Sequence, residues 1–276
     1  MHKFFKRCAS KRYNKTNKMK KEYFKIVVVT LIIGMLNSAC SSNSEDIGIE
    51  GPIDTTSYDI TSILSMFDGV AAVSYSVNGN TVTFTTTNLP NHTSPYWPTN
   101  NALYEAYNGT NTSFNLNPNQ ISTQNVTFTI TLNPSEALNK EATSLGAIGI
   151  SRNGVVFFNQ YAGPNNQALT NEINSFDQWL GHPQNTGMYH YHVEPTSLTG
   201  QFGDSAFLGL LADGFPVYGP VENGATITNA DLDEFHGHVS ATTDFPNGIY
   251  HYHITPNEDP YINGSGFFGT PGSITQ

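Results

Sequence analysis

Gly187-Met188-Tyr189-His190-Tyr191-His192 recurs sixty-one residues later as Gly248-Ile249-Tyr250-His251-Tyr252-His253, with one difference. No longer repeat is visible in the chain. Because successive side chains on a β-strand point to opposite faces, each hexapeptide places its two imidazoles on one face and its two phenol rings on the other. The hexapeptides therefore predict two strands, each of which offers two metal ligands.

Other segments alternate apolar and polar residues in the same way. Residues 73–84 flank the turn sequence Asn78-Gly79-Asn80, and residues 147–158 are broken at Asn153-Gly154, so each predicts a hairpin. Apolar spacings of three and four over residues 167–180 predict a helix, and a shorter helix is expected with Asn229 as its N-cap. The sequence predicts a mainly β chain, an antiparallel β-sandwich-like single large domain with one or two short helices.

The N-terminal region has the features of an export signal. Ten of the twelve Lys and Arg residues precede residue 26, and an apolar run over residues 26–35 leads to Ser38-Ala39-Cys40. This ending resembles a bacterial lipobox, although Asn37 stands where that pattern favours Leu. We expect a signal peptide over residues 1–40, a lipid on Cys40 that anchors the protein to a membrane of the cell envelope, a flexible tether over residues 41–57 and a β-rich domain over residues 58–276. A plain signal peptide with an incidental cysteine is the alternative.

The body of the chain is strongly acidic. After residue 40 there are two basic and twenty-one acidic side chains, a net charge of 2 − 21 = −19. Such a surface repels phosphate backbones and attracts cations, so nucleic-acid binding is not expected.

Histidine is the residue type that carries the chemistry. If the leader ends at Cys40, Cys8 is removed and no thiolate remains in the folded part, so a transition-metal site must use imidazole, carboxylate or backbone oxygen. Such ligands suit Cu or Zn. Two hexapeptide strands side by side would bring four ring nitrogens around one ion. The candidate ligands are His92, His182, His190, His192, His236, His238, His251 and His253.

The individual candidates differ in their support. A lone histidine such as His92 or His182 is more often a hydrogen-bonded loop residue than a ligand. His236 and His238 straddle Gly237, where the alternation of faces is not assured. The four tyrosines of the hexapeptides are expected to pack in a core. Candidates to orient the imidazoles, or to act as a general base, are Asp213, Asp233 and Glu234.

These segments are similar to those of the YHYH domain family. The similarity covers about residues 82–276 and includes residues 89–92 (Leu-Pro-Asn-His), 182–183 (His-Pro), 213–220 (Asp-Gly-Phe-Pro-Val-Tyr-Gly-Pro) and both hexapeptides. It implies that His92 and His182 belong with the tetrapeptides, but it implies no particular activity. Relatives commonly carry a Cys after Leu-Asp-Glu and another near the C-terminus, whereas this chain has Phe235 and the stretch 264–268. We expect packing to replace a cross-link there.

Two classes of function fit the sequence. The first is a cell-envelope lipoprotein with a histidine-rich Cu or Zn site, acting in metal handling or as a metal-dependent enzyme. The second is a non-catalytic surface module that binds glycan or another polymer through Trp97, Trp179 and Tyr218. The chain has no Gly-X-Ser-X-Gly elbow, no phosphate-binding glycine loop and no His-Glu-X-X-His motif, which excludes the commonest serine hydrolases, nucleotide enzymes and zincins.

Overall fold

The structure, a computed structural model, describes residues 56–276. The expected signal peptide, Cys40 and most of the expected tether lie outside these residues. The tether was expected to run to residue 57, and Ser57 already forms a β-bridge with Ser135. Within the described part of the chain, no helix combines the length and the apolar character needed to cross a membrane.

Eighteen short strands follow one another in the described residues. The strands of the first part are β1 (Val73–Asn78), β2 (Thr81–Thr86), β3 (Val126–Thr131), β4 (Glu136–Glu141), β5 (Ala147–Ser151), β6 (Val156–Phe158), β7 (Tyr161–Ala162), β8 (Gln167–Ala168), β9 (Gly181–Pro183) and β10 (Tyr189–Tyr191). The strands of the second part are β11 (Phe207–Leu211), β12 (Pro216–Tyr218), β13 (Val221–Glu222), β14 (Ala225–Thr226), β15 (Gly237–Ser240), β16 (Ile249–His253), β17 (Phe267–Gly269) and β18 (Ser273–Thr275).

A four-stranded antiparallel sheet has the order β1-β2-β3-β18. Its first hairpin turns at Gly79, whose φ of 57° suits glycine. Burial alternates along β2 and β3, with Val82, Phe84 and Phe128 on the buried face. This confirms the predicted hairpin over residues 73–84 and places it in the main core.

An eight-stranded sheet has the order β15-β16-β12-β11-β5-β6-β10-β9 and carries both hexapeptides. Its two halves have the same connectivity outward from the central antiparallel pair of β5 and β11. In each half an antiparallel hairpin comes first (β5–β6, β11–β12), then a parallel pair (β6–β10, β12–β16), then an antiparallel edge strand (β9, β15). A small hairpin follows the second strand of each half (β7–β8, β13–β14).

The sheet therefore consists of two structurally equivalent halves. In the sequence, only the hexapeptides are recognisable as repeated. The expectation that no longer repeat exists was wrong, because equivalent positions conserve backbone geometry and pairing more than residue type. The fold class, mainly β with layered sheets, is confirmed. The sheets are not purely antiparallel, since β6–β10 and β12–β16 pair in parallel.

Both sheets contribute to one hydrophobic core. Phe67, which precedes β1, contacts Phe84 of the smaller sheet and Phe207 of the larger one, with ring centroids 4.7 and 6.0 Å apart. The hexapeptide tyrosines also belong to this core and are at most 1 % exposed. The prediction that these tyrosines pack in a core is confirmed, and the imidazoles consequently face the opposite side of the sheet.

Helix is scarcer than the apolar spacing predicted. The α-helix α1 spans Thr196–Phe202, and 3₁₀ helices span Thr61–Phe67, Glu172–Ser175 and Asn229–Asp231. The helix predicted over residues 167–180 was wrong. Ser175 Oγ donates to the carbonyl of Glu172, and Asp177 Oδ1 accepts from the amide of Trp179, so side chains compete for the backbone groups that a helix would use. Leu169 and Phe176 of this segment are nevertheless buried in a small cluster, against which Ile173 and Leu180 pack partly buried.

The shorter predicted helix exists as a single 3₁₀ turn. Thr228, rather than Asn229, caps it through a capping box with Asp231. Beyond this turn, Phe235 contacts Phe268 with ring centroids 6.2 Å apart, and the amide of Gly264 donates to the carbonyl of Phe235. Packing and backbone pairing thus connect the two regions where relatives commonly carry cysteines, as expected.

Candidate metal centres

The first cluster lies at the outer strands of the first half of the sheet. It consists of Glu172, His182, His190 and His192, and we call it site one. The Nε2 atom of His190 lies 3.0 Å from the Nε2 atoms of both His182 and His192. Glu172 Oε1 lies 3.2 Å from His182 Nε2 and 4.0 Å from His192 Nε2. Three ring nitrogens and a carboxylate oxygen therefore converge on one point.

The positions of the protons show that these nitrogens do not bond to one another. His190 Nδ1 lies 3.1 Å from the carbonyl of Met188, and His192 Nδ1 lies 2.5 Å from the carbonyl of Asn159. A carbonyl can only accept, so both rings donate from Nδ1. A neutral imidazole has one N–H, and each Nε2 therefore presents a lone pair to the other. A cation between the two nitrogens turns this repulsion into attraction.

His182 is oriented in the same sense. Ser175 Oγ donates its proton to the carbonyl of Glu172, so it accepts from His182 Nδ1 at 2.7 Å. His182 Nε2 then also presents a lone pair to the cluster. Such hydrogen bonds from the outer ring nitrogen fix the tautomer and orientation of metal-binding histidines.

The second cluster repeats this arrangement in the other half of the sheet. It consists of Glu222, His238, His251 and His253, and we call it site two. The Nε2 atoms of His251 and His253 are 3.0 Å apart, while their Nδ1 atoms donate to the carbonyls of residues 249 and 219 at 2.9 and 2.8 Å. Glu222 lies within 3.4 Å of His251 through Oε1 and 3.3 Å of His238 through Oε2.

The anchors of the two sites occupy equivalent positions. The carbonyl that orients the last histidine comes from Asn159 after β6 in one half and from Gly219 after β12 in the other. An aromatic ring at the end of the same strand contacts the middle histidine: Phe158 stacks on His190 at 3.9 Å, and Tyr218 meets His251 edge-on at 5.1 Å. The duplication therefore preserves the site together with its supports.

Burial fixes the charge states that a metal requires. It lowers the pKa of His192 and of His251 to about 4, and it holds the pKa of His190 well below its ordinary value. These rings are neutral at pH 7. Burial pushes the pKa of Glu172 upward, but the adjoining side chains of His182 and His192 outweigh burial and leave the pKa below its usual value. The two hexapeptide imidazoles of each site are thus neutral and lie beside an ionised carboxylate.

The spacing of the donor atoms fits a transition-metal ion. Atoms bound about 2.1 Å from one ion lie about 3.0 Å apart at a right angle and about 3.4 Å apart at a tetrahedral angle. The separations of 3.0 Å between ring nitrogens and 3.2–3.4 Å to the nearest carboxylate oxygens fall in this range. The ligand types suit Zn, Cu and similar ions.

The two hexapeptides do not share one ion. Five strand-to-strand steps separate β10 from β16, which corresponds to about 24 Å at about 4.8 Å per step. The expectation that four nitrogens from the two hexapeptides surround one cation was wrong. Each hexapeptide pairs instead with its own edge strand, β9 or β15, and that strand supplies the third histidine.

Two of the predicted ligands lie elsewhere. His92 is on the tyrosine side of the sheet, where its Nε2 accepts from the hydroxyl of Tyr191 at 3.0 Å. His236 has a φ of 76° and precedes β15, so its ring turns away from that of His238 and lies 3.0 Å from Thr255 Oγ1. Neither is part of a cluster.

The predicted carboxylates support tyrosines rather than imidazoles. Asp213 Oδ2 accepts from the hydroxyl of Tyr252 at 2.6 Å, and Asp233 Oδ1 accepts from that of Tyr250 at 2.9 Å. Glu234 is exposed and belongs to neither cluster. The sequence reasoning instead missed Glu172 and Glu222. Glu172 lies in a 3₁₀ turn after β8 and precedes His182 by ten residues, whereas Glu222 lies in β13 and precedes His238 by sixteen, so no common spacing could have indicated them.

The aromatic platform proposed for a glycan-binding module is also absent from the described surface. Trp97 and Tyr218 are 7 % and 3 % exposed. Trp179 is half-buried against His92, with ring centroids 5.6 Å apart. These three residues do not form an exposed face for stacking sugars.

The fold and sites define a β-rich protein with a duplicated three-histidine, one-carboxylate cluster. The family model of the YHYH protein matches residues 127–230 and 221–265, a span of about half the chain that contains every member of both clusters. The chain belongs to the YHYH protein family. Searches of the curated proteins and of the solved structures found no match.

Proposed function

We propose that this protein binds two transition-metal ions, Cu or Zn, one in each half of its duplicated sheet. The observation that carries the proposal is the pair of ring nitrogens in each hexapeptide, 3.0 Å apart with both Nδ1 atoms donating to carbonyls. Two lone pairs that face one another in a buried site, beside an ionised carboxylate, are stabilised by a cation.

Metal analysis of the whole chain, purified without a polyhistidine tag, tests the proposal. We expect two tightly bound ions in the wild-type protein and one in each of the variants His190→Gln and His251→Gln. His236→Gln is the matched control, because it changes a buried histidine beside site two that is not a ligand; this variant should keep both ions. A wild-type protein that binds no ion at equimolar supply contradicts the proposal.

An ion held by imidazoles and a carboxylate can polarise a carbonyl group or lower the pKa of a bound water. The same donor set therefore supports metal-dependent catalysis as well as metal handling. Within each site the protein supplies three imidazole nitrogens and one carboxylate oxygen that could hold the ion.

We also propose that the protein is exported and anchored to the cell envelope by a lipid on Cys40. The basic start, the apolar run and the small residues before Cys40 support this. Metabolic labelling with a fatty acid should mark the wild-type protein and not the variant Cys40→Ala. Equal labelling of both proteins contradicts the anchor.

A further inference from the structure

The two sites hold their carboxylates differently. Glu222 engages both oxygens, since Oε1 faces His251 and accepts from the hydroxyl of Ser240, while Oε2 faces His238 at 3.3 Å. Glu172 uses only Oε1, which faces His182 at 3.2 Å. Among residues 56–276, no hydroxyl or backbone amide donates to the Glu172 carboxylate. The carboxylate of site two is thus held in place by a hydrogen bond from outside the cluster, and the carboxylate of site one is not.

Site one also borders open space. A cleft of about 440 Å³ is lined by Glu172, His190 and His192, and a second cleft of about 400 Å³ is lined by Glu172 and His182. The Glu172 side chain, 27 % exposed, stands at both clefts. A molecule from solvent can therefore reach the donor atoms of site one by displacing the Glu172 side chain, whose carboxylate contacts only the histidines of the site through Oε1.

Access to site two is restricted. The side chain of His238 is 23 % exposed, yet its Nε2 atom is buried. Solvent consequently reaches the back of this ring and not the atom that faces the cluster. The hexapeptide histidines are at most 2 % exposed in both sites, so the difference in access lies at the carboxylates, where Glu222 is 15 % exposed and Glu172 is 27 % exposed.

The larger cleft has the character of a site for a neutral molecule. Its walls include Leu145, Phe158, Tyr161 and Pro164, with the amides of Gln184 and Asn185, and neither Lys nor Arg lines it. Glu172 is its one charged group, which disfavours anions. Apolar walls with a few polar groups beside a metal are typical of small-molecule sites.

We propose that site one takes a small neutral ligand with a nitrogen or oxygen donor from this cleft, whereas site two keeps its ion enclosed by its four side chains. The inference rests on the proposed metal binding. It assigns different roles to the two halves: Glu172 is the exchangeable ligand of a reactive ion, and Glu222 is a fixed ligand of a structural ion.

Imidazole at about pH 8 is a suitable probe, because it is then mostly neutral and binds metals through a ring nitrogen. The whole chain is loaded with Co²⁺, whose visible spectrum reports coordination, and titrated with imidazole. We expect a saturable change that involves one of the two ions. The change should persist in His251→Gln, which keeps site one, and disappear in His190→Gln, which keeps site two. Persistence in His190→Gln, or an equal response from both variants, overturns the inference.

A second pair of variants leaves all ligands in place. Leu145 is 44 % exposed and lines the cleft, so Leu145→Trp should narrow the cleft and weaken imidazole binding about tenfold, with two Co²⁺ ions still bound. Leu138, 71 % exposed and outside the cleft lining, provides the control Leu138→Trp, which should bind imidazole as the wild type does. Equal imidazole affinity in the two variants contradicts the proposed route.

Chelation kinetics give an independent readout on the wild-type protein. Removal of Co²⁺ by excess chelator should be biphasic. Site one should lose its ion at least about tenfold faster than site two, since no hydrogen bond from outside the cluster holds the Glu172 carboxylate. A single phase for both ions counts against the inference. If the proposed metal binding itself is wrong, the protein will not bind two equivalents of Co²⁺, and this is measured before imidazole or chelator is added.

Discussion

Removal of metal should lower the melting temperature through two independent contributions, which are equal when each site is held at the same excess of metal over its own dissociation constant. A ligand that binds only the folded state, present at a hundredfold excess over its dissociation constant, stabilises by about 2.7 kcal/mol per site. The sites are about 24 Å apart and share no ligand, so their contributions should add to about 5.4 kcal/mol.

The size of the domain converts this free energy into temperature. For a domain of 150–250 residues, to which residues 56–276 correspond, about 1 kcal/mol shifts the melting temperature by roughly 2–4 °C. The wild-type protein should therefore melt roughly 10–20 °C higher with Zn²⁺ than after chelation. His190→Gln and His251→Gln should each retain about half of this shift.

Differential scanning calorimetry at a fixed excess of Zn²⁺ over the measured dissociation constant is the appropriate assay. His236→Gln controls for the loss of a buried imidazole that is not a ligand and should show the full shift. If chelation leaves the wild-type melting temperature unchanged, or if one substitution abolishes the whole shift, the reasoning from two independent sites is refuted.

Three further predictions concern the supports of the sites. In urea unfolding, Gly181→Ala and Gly237→Ala should each lower the free energy of unfolding by about 1–3 kcal/mol, because the added methyl group overlaps a buried tyrosine ring in both halves. Gly200 has open space around it, so the control Gly200→Ala should leave this free energy unchanged or raise it. Asp213→Leu should lower the free energy of unfolding by about 3 kcal/mol, since it removes the acceptor of a tyrosine hydroxyl and of two backbone amides. Asp213→Asn should lower it by less. Burial lowers the pKa of His92 to about 4, below the value of about 6.5 expected in the unfolded chain. The contribution of neutral His92 to the free energy of unfolding is therefore complete above about pH 6.5 and is lost as the pH falls toward 4. In unfolding measured against pH, His92→Gln should lose about 3 kcal/mol less than the wild type over this range.

The duplication explains why the supports can be tested in matched pairs. Asp177 accepts from the hydroxyl of Tyr189 in the first half, as Asp233 does from Tyr250 in the second. Position 153 is Asn where position 213 is Asp, and both contact the hydroxyl of the last hexapeptide tyrosine. An Asn at position 213 therefore reproduces the side chain that the other half already uses.

Local pattern failed where side chains compete with the backbone. The apolar spacing over residues 167–180 resembles that of a helix, but the side chains of Ser175 and Asp177 hydrogen-bond to nearby backbone groups, and only a 3₁₀ turn forms. That turn places Glu172 in site one. The misjudged helix and the missed ligand therefore have one cause.

The sequence by itself determined which side chains share a face. The alternation of Tyr and His has a period of two, which is the period of a strand, so the imidazoles of each hexapeptide had to lie together and opposite the tyrosines. The absence of cysteine from the folded part likewise restricted the donors to nitrogen and oxygen.

Only the tertiary structure decided which faces meet. Strand order separated the two hexapeptides and gave each its own edge histidine, His182 or His238. The carboxylates came from segments that no local period connects to the histidines. Packing and strand pairing determine which distant residues meet, and their free energy depends on the whole chain. A local sequence pattern therefore does not indicate which residues these are.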